Sequence, residues 1–251
     1  MLFMNLAARR RAIRPLLNER IPADAAEVYY AFYHGGNKTQ LILSPPSSAE
    51  TTMSVNGYLA ISRTGIDLFR PLLTMRLPED HQEVAALFAT ALPPGANVFI
   101  NAPAGYEPLL KAFFDVQTEQ TLRLLRLDAG SFRPVINVLV VRTDTPDGLP
   151  RYVVRPTNPE AGDEIGAWAT VNWQSPHFAD VAVGTRPAYR QRGWGRSVVS
   201  ALSQHLLETG RLPLYEVEEH NSASQMLARN LGFKDTGHQR VFMEAVFRAV
   251  A

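Results

Sequence analysis

A short loop rich in glycine and arginine carries the clearest chemical signal in the chain. Three arginines, Arg190, Arg192 and Arg196, surround two glycines, Gly193 and Gly195. The apolar run before the loop predicts a β-strand, and the valine and leucine spacing after it predicts a helix. Glycine lets a backbone approach a ligand closely, and a helix N-terminus attracts anions. The sequence of strand, basic loop and helix therefore predicts a site for a phosphate or diphosphate.

Two common phosphate-binding patterns do not fit this loop. A nucleotide P-loop needs Gly-Lys-Ser/Thr, which the loop lacks. A dinucleotide fingerprint needs a third glycine three residues after Gly195, where Val198 stands. The pattern that remains is Arg190-x-x-Gly193-x-Gly195, and the alternative interpretation is a plain surface turn between a strand and a helix.

The pattern resembles the acyl-CoA diphosphate loop of the GNAT N-acetyltransferase superfamily, Gln/Arg-x-x-Gly-x-Gly/Ala. Pro187–Arg190 resembles the family's lead-in to that loop. Further along, Tyr215–Asn221, Ser224 and Leu231–Phe233 resemble the last motifs of the family. These pieces agree in order and spacing, and together they cover residues 178–234.

The resemblance implies an α/β (α+β) fold of the GNAT type. Such a fold has a mixed β-sheet flanked by helices, and the sheet splays open between two of its strands. In this chain the two strands would be the one that ends at Thr185 and the one that ends at Val217. The resemblance places the pantetheine arm of acetyl-CoA in the resulting gap, where it pairs with free backbone groups as an added strand would.

The chain is expected to divide into two domains. Residues 1–130 would form a divergent N-terminal domain, and residues 131–251 the GNAT acyl-CoA-binding catalytic domain. Residues 83–127 repeat the helix and strand alternation of residues 196–247, which predicts that the first domain is a degenerate GNAT-like copy without a phosphate loop. Through Ala25–Leu43 the N-terminal half also resembles, more weakly, glycine N-acyltransferase-like proteins.

The resemblance also implies which residues contact acetyl-CoA. Val183 and Thr185 would offer backbone groups to the pantetheine arm, and a backbone N–H there would stabilise the oxyanion formed during amine attack. Asn221 would lie beside the arm or cap a helix, and both roles stay open. The expected contacts are Val183, Thr185, Arg190, Gln191, Arg192, Gly193, Trp194, Gly195, Arg196, Asn221 and Ser224.

Acyl transfer to an amine also needs a base, because a free alkylamine is protonated at neutral pH. Glu216 matches the glutamate that acts as base in the ribosomal-protein N-terminal acetyltransferases of the superfamily. Glu218 shares its strand face, and His177 and Asp180 belong to the strand before the loop. These four residues are the candidate catalytic residues, while solvated strand-end charges remain the alternative for the glutamates.

The chain differs from the family at the residue that would protonate the leaving thiolate. The tyrosine often found five residues before the final Phe would fall at Ala228. Tyr215 and Tyr189 are candidates by residue type alone, and the thiolate could also leave unassisted. The expected function is an acyl-CoA-dependent N-acetyltransferase acting by direct attack in a ternary complex. The alternative is a catalytically silent acyl-CoA-binding regulatory module.

The composition limits the partners and cofactors that are expected for this protein. The net charge is +1, which argues against nucleic acid as a partner. The chain has no cysteine, which excludes a cysteine nucleophile, and its six histidines show no metal-ligand spacing, so no metal is expected. No apolar run is long enough to predict a membrane span, and a cytoplasmic protein is expected. The amine acceptor is not identified, and the sequence allows a homodimer.

Pattern analysis makes three further predictions about local structure. Residues 5–20 should form a helix whose solvated face carries Arg9, Arg10, Arg11 and Arg14. Val28–His34 and Gln40–Leu43 should form a β-hairpin through the glycine-rich turn between them. Val135–Arg142 should form a strand that pairs with the one that follows it.

Overall fold

The computed structural model describes residues 5–45, 54–157 and 164–248. The helices in these ranges are α1 (Leu6–Ile13), α2 (Ala25–Val28), α3 (His81–Ala91), α4 (Glu107–Phe113), α5 (Trp194–Glu208) and α6 (Ser222–Leu231). The strands are β1 (Thr39–Ser44), β2 (Gly57–Ser62), β3 (Leu72–Arg76), β4 (Asn97–Pro103), β5 (Phe114–Leu127), β6 (Val140–Asp144), β7 (Pro150–Val154), β8 (Ala167–Gln174), β9 (Phe178–Thr185), β10 (Leu212–Glu218) and β11 (Phe233–Phe247).

The chain forms two compact units. Unit 1 contains Met1–Leu122 and Gln239–Ala251, and unit 2 contains Arg123–His238. The boundaries fall inside β5 and β11, so the end of the chain belongs to the first unit. The predicted single division after residue 130 assigns these last residues to the second domain instead.

Unit 1 holds the strands β1, β2, β3 and β4 in that order, followed by the C-terminal part of β11. β3 and β4 run parallel, whereas β1–β2, β2–β3 and β4–β11 are antiparallel pairs. The apolar faces of α3 and of these strands form the core of the unit, with members such as Leu59, Met75, Val84, Phe88, Ile100 and Met243.

Unit 2 holds strands in the order β5-β10-β9-β8-β7-β6, to which β5 contributes its C-terminal part. β9 and β10 are parallel, and they pair over only three positions, from Phe178 with Leu212 to Asp180 with Leu214. Beyond those positions β9 continues to Thr185 and β10 to Glu218, and the described residues show no further pairing between them. The predicted splay between these two strands is therefore confirmed.

The same order of elements occurs twice along the chain. The first set is β3, α3, β4, α4 and β5, and the second is β9, α5, β10, α6 and β11. In each set the first two strands are parallel neighbours with a helix between them in sequence. The repeated order agrees with the internal repeat predicted from residues 83–127 and 196–247.

The predicted strand over Val28–His34 is wrong, because this segment is helical. α2 continues into a π-helical turn, Tyr29–Tyr33. The Arg10 guanidinium donates to the backbone carbonyls of Ala31 and His34, both at 2.9 Å, which stabilises the carbonyl end of the helix. These contacts override the strand preference of a segment that contains three tyrosines and a phenylalanine. The glycine-rich turn therefore joins a helix to β1.

The predicted solvated face of the first helix is only partly correct. α1 ends at Ile13 and a short 3₁₀ turn follows it. Arg11 and Arg14 are exposed, but the Arg9 guanidinium donates to the carbonyl of Leu41 and Arg10 binds the carbonyls described above. Two of the four arginines thus hold unit 1 together.

The predicted strand over Val135–Arg142 begins later than expected, at Val140. The residues before it bind α5 through two buried serines. The N–H of Val135 donates to Ser200 Oγ at 2.7 Å, and Asn137 Nδ2 donates to Ser197 Oγ at 3.2 Å. Because these polar groups are satisfied by the helix, the segment follows α5 before it joins the sheet.

Candidate active site

The loop between β9 and α5 has an unusual backbone. Gly193 is the N-cap of α5 and has a φ of 75°, in the left-handed region that glycine tolerates. Gln191 also has a positive φ, 63°, and it is the non-glycine residue for which this occurs among the described residues. That conformation costs about 1–2 kcal/mol for a residue with a side chain. Such strain is typically retained where the loop shape serves a ligand.

The N-terminus of α5 differs from those of α1, α3 and α6, although α2 and α4 also begin without a side-chain cap. Asn5, Asp80 and Asn221 cap α1, α3 and α6 by accepting hydrogen bonds from backbone N–H groups. In the described chain no side chain caps α5, whose N-cap is Gly193. The first N–H groups of α5 therefore remain available, and they lie at the positive end of the helix dipole. This end of α5 can bind an anion.

Three arginines add positive charge at this helix end. Arg190, Arg192 and Arg196 are exposed, and none of them forms an ion pair with another described residue. The neighbouring Arg186 is different, because it is 2.7 Å from a Glu164 oxygen. The loop thus presents three charges that are not neutralised by carboxylates in the described ranges.

Two aromatic rings hold the loop in place. Tyr189 and Trp194 stack with ring centroids 5.2 Å apart and an angle of 19° between the ring planes. Arg192 lies over both rings, 5.4 and 5.5 Å from the centroids. The rings pack on Gly166, where a Cβ would come within 2.6 Å of the indole, so only glycine fits there.

Glu164 links this stack to the chain before β8. The Tyr189 hydroxyl donates to Glu164 Oε2 at 3.2 Å, and the same carboxylate pairs with Arg186. Desolvation and the hydrogen bond to Glu164 raise the pKa of Tyr189, so the phenol stays neutral and continues to donate. No sequence motif marks Glu164, because nothing in its surroundings indicates a contact with a loop twenty-five residues away.

Gly195 lies at the centre of a close approach between β9, α5 and α6. A Cβ on Gly195 would be 3.0 Å from Thr185 Oγ1, 3.3 Å from Leu227 Cδ1 and 4.0 Å from Val183 Cγ2. The structure therefore brings together three of the predicted cofactor contacts, Val183, Thr185 and Gly195. It adds Leu227, which has no motif in the sequence.

Asn221 and Ser224 belong to the first turn of α6. The Asn221 side chain accepts from the Ser224 N–H at 3.0 Å, so in this structure Asn221 caps the helix. Ser224 precedes Leu227 by three residues, and residues so spaced share a helix face. Since Leu227 points toward Gly195, Ser224 borders the same groove.

The candidate acids lie along the splayed strands. Side chains alternate along a strand, and Leu214 pairs with Asp180, so Asp180, Glu216 and Glu218 share one face of the sheet. Asp180 is 5% exposed and accepts from Asn172 Nδ2 at 2.8 Å. Glu216 is half-buried and Glu218 is exposed. The structure thus places Asp180 where the strands part and Glu216 just beyond that point.

His177 lies on the other side of the point of divergence. Its carbonyl accepts from the Leu212 N–H at 2.8 Å, at the end where β9 and β10 are still paired. His177 precedes Thr185 by eight positions, which is about 26 Å along an extended strand. The structure therefore does not bring His177 to the basic loop.

The face that carries Asp180 also carries an aromatic wall. Trp168 is paired with Gly184 across β8 and β9, and its indole lies directly against Gly184. A Cβ at Gly184 would overlap the ring, so glycine is required there. An acceptor that approaches this face meets an indole and carboxylates.

The start of α3 in unit 1 does not repeat the anion site of α5. α3 follows β3 as α5 follows β9, but Asp80 occupies the start of α3. Its Oδ1 accepts from the N–H groups of Gln82, at 2.6 Å, and Glu83, at 3.4 Å. A carboxylate already fills the position where a phosphate would bind, which is consistent with the degenerate copy predicted for the N-terminal half.

Two other features are absent from residues 5–45, 54–157 and 164–248. No group of three or more His, Asp or Glu side chains there is arranged to hold a metal ion. Within the same ranges, none of the helices combines the length and the apolar character that crossing a membrane would require.

Comparison with known proteins connects this geometry to a fold family. Residues 165–243 match the family model described as FR47-like protein. No curated protein matches the chain.

Several solved structures resemble most or nearly all of the chain. A tandem GNAT protein from the clavulanic acid biosynthesis pathway is 12% identical with a TM-score of 0.61, over 98% of this chain and 96% of that one. A GCN5-related N-acetyltransferase from Sphaerobacter thermophilus is 11% identical with a TM-score of 0.59, over 98% and 95%. One from Kribbella flavida is 14% identical with a TM-score of 0.52, over 75% and 86%.

These likenesses show the fold. The chain has the GNAT-like α/β fold predicted from its motifs, and the tandem GNAT structure fits its two-unit arrangement. The further resemblance of the N-terminal half to glycine N-acyltransferase-like proteins stays a prediction.

Proposed function

We propose that the protein is an acyl-CoA-dependent N-acyltransferase. It would transfer an acetyl group from acetyl-CoA to a primary amine by direct attack in a ternary complex. The observation that carries this proposal is the start of α5, which has no side-chain cap and is surrounded by Arg190, Arg192 and Arg196. A diphosphate matches that charge and geometry, and the strands beside the loop leave a gap for the rest of the ligand.

The residues present fit acetyl-CoA along its length. The first N–H groups of α5 and the three arginines would hold the diphosphate. The backbone of β9 at Val183 and Thr185 would pair with the pantetheine arm, because β10 has left that edge of the strand. Gly195 lets α5 pack closely against Thr185 of β9 and Leu227 of α6, the residues that border this groove.

The acceptor would approach the face that carries the carboxylates. Glu216 is the proposed base that takes the proton from the amine, and Asp180 and Glu218 on the same face would attract a cationic acceptor. Trp168 would form a wall of the acceptor pocket and could also contact a cation through its ring.

One observation favours the alternative of a silent acyl-CoA-binding module. Ala228 is completely buried among apolar residues, so the position at which a tyrosine is expected offers neither a proton nor a contact with ligand. Under this alternative the protein binds acetyl-CoA through the same loop and releases no CoA when amines are supplied.

The experiment has two stages with the full chain. First, acetyl-CoA binding is measured by calorimetry, with acetyl-pantetheine as a comparison that lacks the diphosphate. Second, CoA release is followed with a panel of primary amines, amino acids and peptides. Tight binding of acetyl-CoA with CoA release supports the acyltransferase. Tight binding without release across the panel supports the module, and absence of binding overturns both.

A further inference from the structure

A buried phenol lies beside the groove, and the proposed binding and base roles do not use it. Tyr215 is the first residue of β10 after the last position paired with β9. Its side chain is 3% exposed and belongs to the apolar cluster beneath α5 and α6. Its hydroxyl donates to Ser224 Oγ at 3.4 Å. Tyr215 is therefore too buried to contact a ligand itself, but it contacts a residue that can.

Ser224 is held from two directions. Its backbone N–H donates to Asn221 Oδ1 at 3.0 Å, and its hydroxyl oxygen accepts from Tyr215. Because the oxygen accepts from the phenol, the serine's own hydrogen is left to be donated elsewhere. Ser224 is half-buried and shares the groove-facing side of α6 with Leu227. The Ser224 hydroxyl is therefore positioned to donate a hydrogen bond to an acceptor atom in the groove.

The proposed reaction creates such an acceptor atom. When the amine nitrogen attacks the thioester carbon, a C–N bond forms and the C–S bond breaks. The electron pair of the C–S bond goes to sulfur, and the amine proton goes to the base. A negative charge thus develops on sulfur inside the groove, where a fixed hydrogen-bond donor stabilises the charge more than the same donor would in water.

We propose that the Ser224 hydroxyl donates a hydrogen bond to the thioester sulfur, and that Tyr215 is the positioning residue that orients it. This inference rests on the proposed binding of acetyl-CoA. Sulfur leaves as a thiolate and takes its proton from solvent, so no protein group ionises in this step. Leaving-group stabilisation is thereby supplied by β10 and the first turn of α6, and Ala228 is not needed for it.

The electrostatics of Tyr215 agree with a neutral donor. Burial raises the pKa of Tyr215, and the nearby Asp180 charge raises it further, while the hydrogen bond to Ser224 opposes the shift. The phenol therefore remains protonated across the pH range in which a thiol titrates, which begins near 8.5 for an ordinary cysteine. A phenol that stays neutral continues to orient Ser224 while the charge on sulfur develops.

The test uses CoA itself and needs no acceptor. The ionisation of the CoA thiol is followed by the ultraviolet absorbance of the thiolate against pH, free in solution and bound to the full-length protein. A donor at sulfur stabilises the thiolate, so bound CoA should titrate about one pKa unit below free CoA. Ser224→Ala should abolish that shift, Tyr215→Phe should reduce it, and Ser224→Thr, which keeps the hydroxyl, should retain it.

Ser222→Ala, an exposed serine at the start of the same helix, is the matched control and should leave the shift unchanged. CoA that binds with an unshifted thiol, or with a shift that survives Ser224→Ala, overturns the inference and leaves the binding proposal intact. Protein that binds no CoA overturns the inference together with the proposed function. Thermal unfolding of each variant establishes that the comparison is made between folded proteins.

Discussion

Leu227 Cδ1 lies 3.3 Å from the point where a Cβ on Gly195 would stand. α5 and α6 therefore approach each other at a glycine, beside the strand that borders the proposed groove. A methyl group at this point would press on Leu227 and Thr185 and displace these two residues at the border of the proposed groove. A substitution at Gly195 is therefore the most direct test, within this loop, of whether the ligand uses the proposed groove.

Gly195→Ala should weaken binding of acetyl-CoA by tenfold or more while the protein stays folded. The glycine is in the first turn of a helix, where alanine is favoured by up to about 1 kcal/mol, and this offsets the cost of moving Leu227. Calorimetry of the variant with acetyl-CoA, together with its melting temperature, measures both effects.

Gly193→Ala is the matched control for that variant. No atom lies within 4 Å of a Cβ at Gly193, but its φ of 75° disfavours a side chain. The variant should lose about 1–2 kcal/mol of stability with a smaller loss of affinity. If Gly195→Ala binds as tightly as wild type, the ligand does not use this groove.

The loop arginines should bind the ligand by charge. Arg190→Ala, Arg192→Ala and Arg196→Ala should each weaken acetyl-CoA binding about two- to fivefold, because exposed charge pairs contribute modestly. The losses should be larger at low salt, since screening reduces the attraction in the wild type. Arg126→Ala removes an exposed arginine on β5 and should leave affinity unchanged. Equal effects of all four variants would show that only net charge matters.

Glu216→Gln should lower kcat about 10²–10⁴-fold with little change in acetyl-CoA affinity, because the amide keeps the shape and loses the basicity. The loss should become smaller as pH rises, since more of the amine then arrives already deprotonated. Glu208→Gln changes an exposed carboxylate at the C-terminal end of α5, away from the candidate carboxylates, and is the control that should keep full kcat. A variant at Glu216 with full activity at neutral pH would move the base to Asp180, for which the same substitution applies.

Unit 1 should lose stability as the solution becomes mildly acidic. Burial, assisted by Lys38 and Arg10, lowers the pKa of His34, whose Nδ1 lies 2.7 Å from Thr39 Oγ1. The unfolded chain therefore binds a proton more readily than the folded chain, and stability falls as pH drops through about 6.5, the ordinary histidine value. His34→Asn should flatten the dependence of the melting temperature on pH between 5 and 7.5. An unchanged profile would show that His34 is not the group responsible.

The loop could be predicted because its causes are local, whereas the splay between β9 and β10 is predicted only through the resemblance to the GNAT superfamily. Gly193 indicates where the backbone turns, and Gly195 indicates where a side chain is excluded. The order of strand, loop and helix follows from the spacing of the hydrophobic residues. The capping of α6 by Asn221 is equally local, since donor and acceptor are three residues apart.

Other parts of the site depend on contacts that are distant in sequence. Glu164 binds Tyr189 across twenty-five residues, and Leu227 meets Gly195 only because α6 returns beside α5. The same cause explains the segment after Val28, which is helical because the Arg10 side chain stabilises its carbonyl end. Local propensity contains no information about such partners.

Acetyl-CoA binding by the full-length protein tests the central claim most directly. Ligand at about 100 times its dissociation constant stabilises a folded protein by roughly 2.7 kcal/mol, which for a chain of this size raises the melting temperature by roughly 5–11 °C. We expect that rise with acetyl-CoA, a much smaller one with acetyl-pantetheine, and a rise reduced to about half or less in Gly195→Ala. A melting curve that does not move in millimolar acetyl-CoA would contradict the account.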